Sequence, residues 1–297
     1  NCRYSRAEDL IRDADIAMYN AKTRHRKFCY FDSIMRKKVI SRLNLEQDLR
    51  RGISNNELNL VYQPIVNILN KKIIGFESLL RWYHPEQGWV SPNRFIPIAE
   101  ETELIIEIGD WILTQACQQL QEWRQQFSSE MLISLSVNVS PKQFRENDLV
   151  FHINQMLKLY EIRPEDLKLE VTETAILESN SKQVLEDLKA IGVGLYLDDF
   201  GIGESSLSRL YQLPLDVIKI DRSFVQGLPE NKRKCAIAQT IINLADNMDL
   251  GVIAEGIETE AQKDELLKWG CRRGQGFLFS KPVSAEVATE MIAHHSV

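Results

Sequence analysis

The sequence predicts an α/β fold, a (β/α)8 TIM-like barrel with an antiparallel first strand. From Leu58 onward, short apolar runs that end in polar residues alternate with amphipathic stretches, as in parallel strands joined by helices. About eight runs over roughly 240 residues match the size of a closed barrel. An open doubly wound sheet is the alternative. Its dinucleotide-binding form carries a glycine-rich loop after the first strand, which this chain lacks.

The individual elements follow from the periodicity of apolar residues. The predicted strands share an apolar core and span residues 58–62, 73–77, 132–138, 167–170, 193–199, 217–221, 252–255 and 276–279. The predicted helices share apolar residues at helical spacing and span residues 104–127, 148–160, 182–191, 232–248, 259–269 and 285–294. A short connection containing Asn70 joins the first two strands, which predicts a hairpin between them.

The first 52 residues precede this alternating pattern. Residues 5–8 have the pattern of a helix-opening capping box, and a strand at 28–31 and a basic helix from about 33 to 51 are expected to follow. The first helix and strand are too small to form a domain by themselves. We therefore interpret the chain as a piece of a longer protein, with a domain remnant at 1–32, a linker helix at 33–52 and the barrel at 53–297.

Composition excludes several classes of protein. The formal net charge of −6 disfavours a partner that is a nucleic-acid polymer, because such binders carry a basic face. The five cysteines are scattered without a CxxC pair, which indicates a reducing compartment and hence a cytoplasmic location. No apolar run is long enough to span a bilayer, so we expect no membrane contact in this fragment, although the parent protein could be membrane-anchored.

Polar residues stand at or near the ends of the predicted strands. They are Glu77, Asn138, Glu170, Asp198, Asp199, Lys219, Asp221 and Glu255. Strand ends meet at one face of a barrel, where active sites are built. Carboxylate and amide oxygens without cysteine or histidine suit Mg²⁺ or Mn²⁺. The adjacent Asp198 and Asp199 could serve two metal ions, an arrangement used to cleave phosphoesters.

Each of these residues also has a simpler interpretation. A single acidic residue at a strand end is more often a helix cap or a solvated turn residue. Lys219 could belong to a buried structural salt bridge. The tandem Asp198 and Asp199 are harder to explain in this way, because capping needs only one carboxylate.

Nine short motifs occur in a characteristic order. They are YQPIV at 62–66, ESLLRW at 77–82, FIPIAE at 95–100, VNVS at 137–140, EVTE at 170–173, DDFG at 198–201, KIDRSF at 219–224, AEGIET at 254–259 and QG at 275–276. Together they make the region from about 58 to 282 closely resemble the EAL domain, a cyclic di-GMP phosphodiesterase of bacterial signalling. The stretch ADIAMYNAK at 14–22 resembles the end of a GGDEF (diguanylate cyclase) domain.

The EAL resemblance implies roles for some of the motif residues. The implied metal ligands are Glu77, Asn138, Glu170, Asp198, Asp199 and Glu255, with Asp198 bridging two ions. The implied catalytic residues are Glu77, Lys219 and Glu255, with Lys219 orienting the nucleophilic water. Substrate and supporting positions are implied for Gln63, Arg81, Gln275, Glu258, Glu173 and Asp221, with Glu173 anchoring the loop after the paired aspartates.

The implied reaction is the metal-assisted attack of water on cyclic di-GMP, which yields linear pGpG. The resemblance also implies a homodimer and a parent chain with upstream GGDEF and sensory domains. Two departures from the family pattern stand out. Ser78 replaces an alanine, and Ile202 and Glu204 alter the loop after the paired aspartates, which could change activity or regulation.

Two other functions compete with an active phosphodiesterase. The first is a sensor module that binds cyclic di-GMP without cleaving it, and the second is a barrel enzyme of another chemistry, such as an enolase-like proton abstraction. All the expected metal ligands and Lys219 are present, which favours the phosphodiesterase. The order of the motifs does not fit the enolase-like alternative.

Overall fold

The computed structural model describes residues 6–23, 26–127, 133–145, 148–177, 181–201 and 207–294. Ser5 of the predicted capping box and the altered loop at Ile202 and Glu204 lie outside these residues. The contacts divide the chain into two compact units. The first consists of Asn1–Glu57 and Trp82–Glu101, and the second of Leu58–Arg81 and Thr102–Val297.

The first unit is mainly helical. It contains α1 (Ala7–Thr23), α2 (Ser33–Ser54), the short strand β3 (Gly88–Val90) and α3 (Pro92–Glu101). Asp32 caps α2 by accepting a hydrogen bond from the Ile34 N–H at 3.2 Å. The buried Asp13 of α1 accepts a hydrogen bond of 2.9 Å from Arg36 Nε of α2, so a charge-assisted contact joins these two helices.

Two sequence-based expectations for this unit need correction. The predicted strand at 28–31 is wrong, because these residues form neither helix nor strand. A strand is stable only when its backbone groups pair with a neighbour, and 28–31 pairs with none among the described residues. The helix α3 was not predicted, since its internal Pro97 is normally a helix-breaking signal.

The second unit is a closed barrel, and the end of the strand β2, from Trp82 onward, is counted with the first unit. Its strands are β1 (Leu58–Asn67), β2 (Ile73–His84), β4 (Ser134–Val139), β5 (Leu167–Thr172), β6 (Gly194–Phe200), β7 (Val217–Ile220), β8 (Gly251–Ala254) and β9 (Arg273–Gly274). Within the described residues their order is β1-β9-β8-β7-β6-β5-β4-β2, and a pairing between β1 and β2 closes the ring. The (β/α) barrel is therefore confirmed, and the open sheet is excluded.

The direction of the strands also agrees with the prediction. β1 pairs with β9 in antiparallel orientation, with Val66 opposite Gly274. The pairings from β2 through β4 and onward to β9 are parallel. A hydrogen bond of 2.8 Å from Asn67 N–H to Lys72 O closes the predicted hairpin between β1 and β2.

Helices connect the strands of the barrel. They are α4 (Leu104–Gln126), α5 (Leu149–Leu159), α6 (Glu173–Ile176), α7 (Ser181–Ile191), α8 (Leu207–Leu210), α9 (Arg222–Val225), α10 (Lys232–Asn247), α11 (Glu260–Lys268) and α12 (Ala285–His294). The longer ones confirm the predicted helices to within one or two residues at each end. Among the described residues, no helix is both long and apolar enough to cross a bilayer.

The last predicted strand, at 276–279, is wrong. These residues form a turn, and β9 lies just before them at Arg273–Gly274. The apolar run turns and does not pair as a strand, because the Phe279 and Ser280 N–H groups both donate to Gly276 O, at 3.0 and 3.1 Å. Gly274 is needed in the strand because a Cβ there would lie only 2.8 Å from Ile68 Cγ2. The position of β9 is therefore set by the close packing of neighbouring segments around Gly274. Such a strand does not need an apolar run, so periodicity could not locate it.

Candidate active site

The ends of the parallel strands bring several predicted residues together. Asn138 lies near the end of β4 and is in register with Glu170 of β5. Lys219 lies at the penultimate position of β7, and Glu255 follows β8 directly. The Glu255 N–H donates to Ile220 O at 3.0 Å, which ties this residue to the end of β7.

Lys219 lies at the centre of a carboxylate cluster and is completely buried. Its Nζ forms ion pairs with Glu170 Oε2 at 2.6 Å, Glu255 Oε1 at 2.6 Å, Asp198 Oδ1 at 3.4 Å and Glu77 Oε2 at 3.5 Å. One cation therefore faces four carboxyl groups, whose mutual repulsion is relieved by protonation or by further cations.

Glu77 is held from both sides by amide groups. Gln275 Nε2 donates to Glu77 Oε2 at 2.7 Å, and Asn138 Nδ2 donates to Glu77 Oε1 at 3.0 Å. The same Gln275 amide nitrogen lies 2.9 Å from Gln63 Oε1, and Gln63 in turn donates to Ser280 O at 3.1 Å. These bonds fix the orientation of the Glu77 carboxylate.

Burial and charge shift the pKa values in the cluster in opposite directions. Burial would lower the pKa of Lys219, but the surrounding carboxylates raise it well above its usual value. Burial raises the pKa of Glu170 well above normal, and the nearby Glu77 adds to the effect. Burial raises the pKa of Glu255 to about 8 despite the attraction of Lys219. For Glu77, the effect of burial is outweighed by Lys219 and the amide donors, so its pKa is lowered.

The tandem aspartates have different surroundings. The register between β6 and β7 shifts between Leu197 and Phe200, and irregularities of this kind often re-aim side chains next to active sites. Asp198 is partly buried and faces Lys219. Asp199 is exposed and has the left-handed backbone angle φ 55°. Partial desolvation, Asp198 and Asp221 raise the pKa of Asp199 to about 6.

Glu173 and Asp221 make contacts beside the cluster. Glu173 is buried and accepts a hydrogen bond of 2.7 Å from the Gly201 N–H through Oε1, so it holds the residue that follows the DDF segment. Asp221 is also buried and caps α9 by accepting a hydrogen bond of 2.8 Å from the Ser223 N–H. The capping contact is the simpler interpretation that the sequence left open for an acid at a strand end.

Two predicted substrate or supporting residues, Arg81 and Glu258, make hydrogen bonds outside this cluster within the described part of the chain. Arg81 is partly buried, and its Nη1 donates to Leu80 O at 2.8 Å. The side chain of Glu258 is exposed, while its backbone N–H donates to Gln262 Oε1 at 2.7 Å. Their predicted roles therefore depend on contacts with a bound ligand.

The residues present fit a cation of the hard, oxygen-binding type. No three His, Cys, Asp or Glu side chains in the described part of the chain are already arranged to hold a metal ion, and the Lys219 ammonium lies among the carboxylates. Glu170 Oε1, however, is buried and lacks a hydrogen-bond partner among the described residues. A buried carboxylate oxygen without a partner is costly, and a cation would satisfy it.

Two supporting features of the site have little signal in the sequence. The Ser280 carbonyl that accepts from Gln63 is a main-chain group, so residue type could not reveal it. The segment after β9 is bonded to Ile257: the Ile257 N–H donates to Gln275 O, and the Leu278 N–H donates to Ile257 O, both at 3.0 Å. A glycine next to a motif glutamine was the only available indication.

Gly276 tests this support. A Cβ at this position would overlap the backbone N and O atoms of Ile257, which cannot rotate away. We expect Gly276→Ala to destabilise the barrel by about 1 to 3 kcal/mol, the usual cost of overpacking, and to displace Gln275 from Glu77. Thermal unfolding measures the first effect. Gly88→Ala is the control for backbone strain alone, because Gly88 has the left-handed angle φ 68° and no described atom lies within 4 Å of its Cβ position. It should cost less than Gly276→Ala, and equal stability losses would contradict the steric explanation.

Fold and site together define a barrel protein with a carboxylate cluster at the carboxyl ends of its strands. The chain belongs to the EAL domain family, whose model matches residues 46–282. The resemblance of the nine motifs to the EAL domain is thus confirmed.

Three comparisons describe the relatives. The chain is 41% identical over 288 residues to the bifunctional diguanylate cyclase/cyclic di-GMP phosphodiesterase MucR of Pseudomonas aeruginosa. This alignment covers 96% of the present chain and 42% of MucR. The structure resembles the PaMucR phosphodiesterase in complex with c-di-GMP, with a TM-score of 0.79 and 40% identity over 82% of this chain and 99% of that one. It also resembles the EAL enzyme Bd1971 bound to cAMP and cyclic-di-GMP, with a TM-score of 0.82 and 36% identity over 88% and 73% of the two chains. The chain thus spans less than half the length of MucR.

Proposed function

We propose that this chain hydrolyses cyclic di-GMP to linear pGpG with the help of two Mg²⁺ or Mn²⁺ ions. The observation that carries the proposal is the carboxylate cluster around Lys219, in which Glu170 Oε1 has no hydrogen-bond partner within the described ranges. It lies at the barrel face on which enzymes of this architecture place their chemistry. The MucR phosphodiesterase, which has c-di-GMP bound in its structure and is 40% identical, supports the choice of substrate.

The available oxygen donors support six residues as the proposed ligands of the metal ions. Glu77, Asn138, Glu170, Asp198, Asp199 and Glu255 offer carboxylate or amide oxygens, as Mg²⁺ and Mn²⁺ prefer. When bound, such ions lower the pKa of water and stabilise the charge that develops on phosphoryl oxygens. Asn138 donates its amide nitrogen to Glu77, which leaves its carbonyl oxygen as the group available for a cation.

The side chains of this protein supply positioning and charge. Lys219 holds Glu170 and Glu255 at 2.6 Å, and in this proposal its ammonium group orients the attacking water. Gln275 and Asn138 keep the Glu77 carboxylate in one orientation. Arg81 suits a non-bridging phosphate oxygen, since a guanidinium binds phosphate in a planar, bidentate manner.

We further propose the context of this domain. The match to MucR covers 96% of the chain, which is more than the 46–282 matched by the EAL model. This supports a GGDEF remnant at 1–32, a linker helix at 33–52 and an EAL barrel at 53–297. We also propose a homodimer, a cytoplasmic location and sensory domains in the parent chain, as the sequence predicts.

The proposed reaction is tested by incubating the purified chain with cyclic di-GMP and Mg²⁺ or Mn²⁺ and separating the nucleotides by chromatography. We expect pGpG to form with either metal and to be absent in EDTA. Product formation in EDTA would refute the metal requirement. Intact substrate in every sample, combined with measurable binding of cyclic di-GMP, would replace the phosphodiesterase with the sensor function.

A further inference from the structure

The turn that follows β4 is closed by a buried glutamine. β4 ends one residue after Asn138, and the chain then turns between Ser140 and Gln143. The Gln143 N–H donates to Ser140 O at 3.0 Å, and Gln143 Oε1 accepts from the Ser140 N–H at 3.0 Å. Only 4% of Gln143 is exposed. Both its main chain and its side chain therefore fix this turn.

A glycine of α4 makes room for the Gln143 amide. A Cβ at Gly109 would lie 2.6 Å from Gln143 Cδ and 2.9 Å from Gln143 Oε1, with Nε2 closer still. Glycine inside a helix costs about 1 kcal/mol relative to alanine, and Gly109 is buried within the 23-residue α4. Its absent side chain allows the helix to pack directly against the amide.

Asn138 needs such support because its own side chain is little constrained. It is exposed, and among the described residues its amide makes one hydrogen bond, to Glu77. Its position is therefore set by the main chain on each side. On the strand side, pairing of β4 with β5 sets Asn138 opposite Glu170. On the turn side, Gln143 Oε1 accepts a hydrogen bond from the Ser140 N–H.

We propose that Gln143 and Gly109 are positioning residues for Asn138, which keep its amide oxygen in place to bind a metal ion. This inference rests on the proposed function, which makes Asn138 a metal ligand. Mutation of a residue that orients a metal ligand typically lowers metal affinity or activity by about 10- to 100-fold. Neither Gln143 nor Gly109 belongs to the carboxylate cluster.

The test measures Mn²⁺ binding to the whole chain by calorimetry without substrate, together with the Mn²⁺ dependence of cyclic di-GMP hydrolysis. Gln143→Met keeps the side-chain volume but removes the acceptor, and Gly109→Ala displaces the amide without altering it. We expect each to weaken Mn²⁺ binding about tenfold and to raise the Mn²⁺ concentration needed for half-maximal hydrolysis by the same factor. Glu107→Ala, at an exposed position of α4, is the matched control and should change neither quantity.

A double variant separates this role from simple destabilisation. In Gln143→Ala the amide is gone, so adding Gly109→Ala should weaken Mn²⁺ binding no further, and alanine should strengthen the helix. Thermal unfolding confirms that each variant is folded. If the parent protein is active but Gln143→Met and Gly109→Ala both bind Mn²⁺ as tightly as the parent, the inference is overturned and the proposed function is not. If the loss of Mn²⁺ affinity in the double variant equals the sum of the losses in Gln143→Ala and Gly109→Ala, the role of Gly109 is overturned. A parent chain that neither binds Mn²⁺ nor hydrolyses cyclic di-GMP would overturn the proposed function and the inference with it.

Discussion

Replacing Glu77 with alanine is expected to abolish metal-dependent hydrolysis of cyclic di-GMP while the barrel stays folded. Glu77 accepts hydrogen bonds from Gln275 and Asn138 and faces Lys219, so its carboxylate is both oriented and charged. We expect the rate to fall by more than about 100-fold, because even residues that support a metal ligand contribute 10- to 100-fold. The rate of pGpG formation at saturating Mg²⁺ measures this loss.

Stability should respond differently from activity. Glu77→Ala removes one of four carboxylates that share Lys219, and the remaining three still compensate the ammonium group. We therefore expect the unfolding temperature in EDTA to change little, whereas the increase in unfolding temperature that Mg²⁺ causes in the parent protein should disappear. Glu186→Ala, at an exposed position of α7, is the control. Turnover of Glu77→Ala at the parent rate would remove Glu77 from the metal site.

The barrel was predictable because its strands and helices differ in periodicity. The sequence runs of β5 and β7 are short, apolar and followed by or end near a polar residue. In the helices between them, apolar residues recur with the helical period of 3.6 residues. Periodicity failed where pairing partners rather than residue type select a strand. Residues 28–31 have the composition of a strand but no neighbour among the described residues, while Arg273–Gly274 pairs on both sides with little apolar character.

The site was predictable as a set of residues but not as a set of contacts. A barrel brings strand ends to one face, so the sequence could place Glu170, Lys219 and Glu255 together. Register and rotamers decide which groups touch, and these depend on distant segments. Lys219 was left open between a salt bridge and a catalytic group, and the structure shows ion pairs to four carboxylates, which are compatible with both roles.

The proposed positioning residues, Gln143 and Gly109, were the hardest to predict. Their role depends on the packing of the Gln143 amide into the space left by the missing side chain of Gly109. In the sequence, Gln143 looks like an ordinary polar residue of a turn, and Gly109 looks like a residue that destabilises a helix. Their relation appears only when α4 is packed against the turn after β4. A sequence gives separation along the chain, whereas this relation depends on an approach between residues 34 positions apart.

Replacing Lys219 with methionine is expected to remove activity and, unlike Glu77→Ala, to destabilise the protein. Methionine keeps most of the side-chain volume, so the change is mainly the loss of a buried positive charge. The carboxylates of Glu170 and Glu255, each 2.6 Å from Nζ, would lose their partner. Breaking a buried ion pair by removing one member typically costs about 3 to 5 kcal/mol. We expect a loss of free energy of unfolding in this range in EDTA, and a fall in the rate of hydrolysis of about 100-fold, as when a reacting group loses its orientation.

Metal ions and a second substitution separate the two roles of Lys219. Because cations can neutralise the same carboxylates, Mg²⁺ should recover part of the stability of Lys219→Met without restoring hydrolysis. Adding Glu170→Gln should also recover stability in EDTA, since it removes a charge that the lysine had balanced. Lys182→Met, at an exposed position, should leave both properties unchanged. If Mg²⁺ restored hydrolysis in Lys219→Met, the lysine would be a structural counter-charge, and orientation of the attacking water would have to come from the other groups of the cluster.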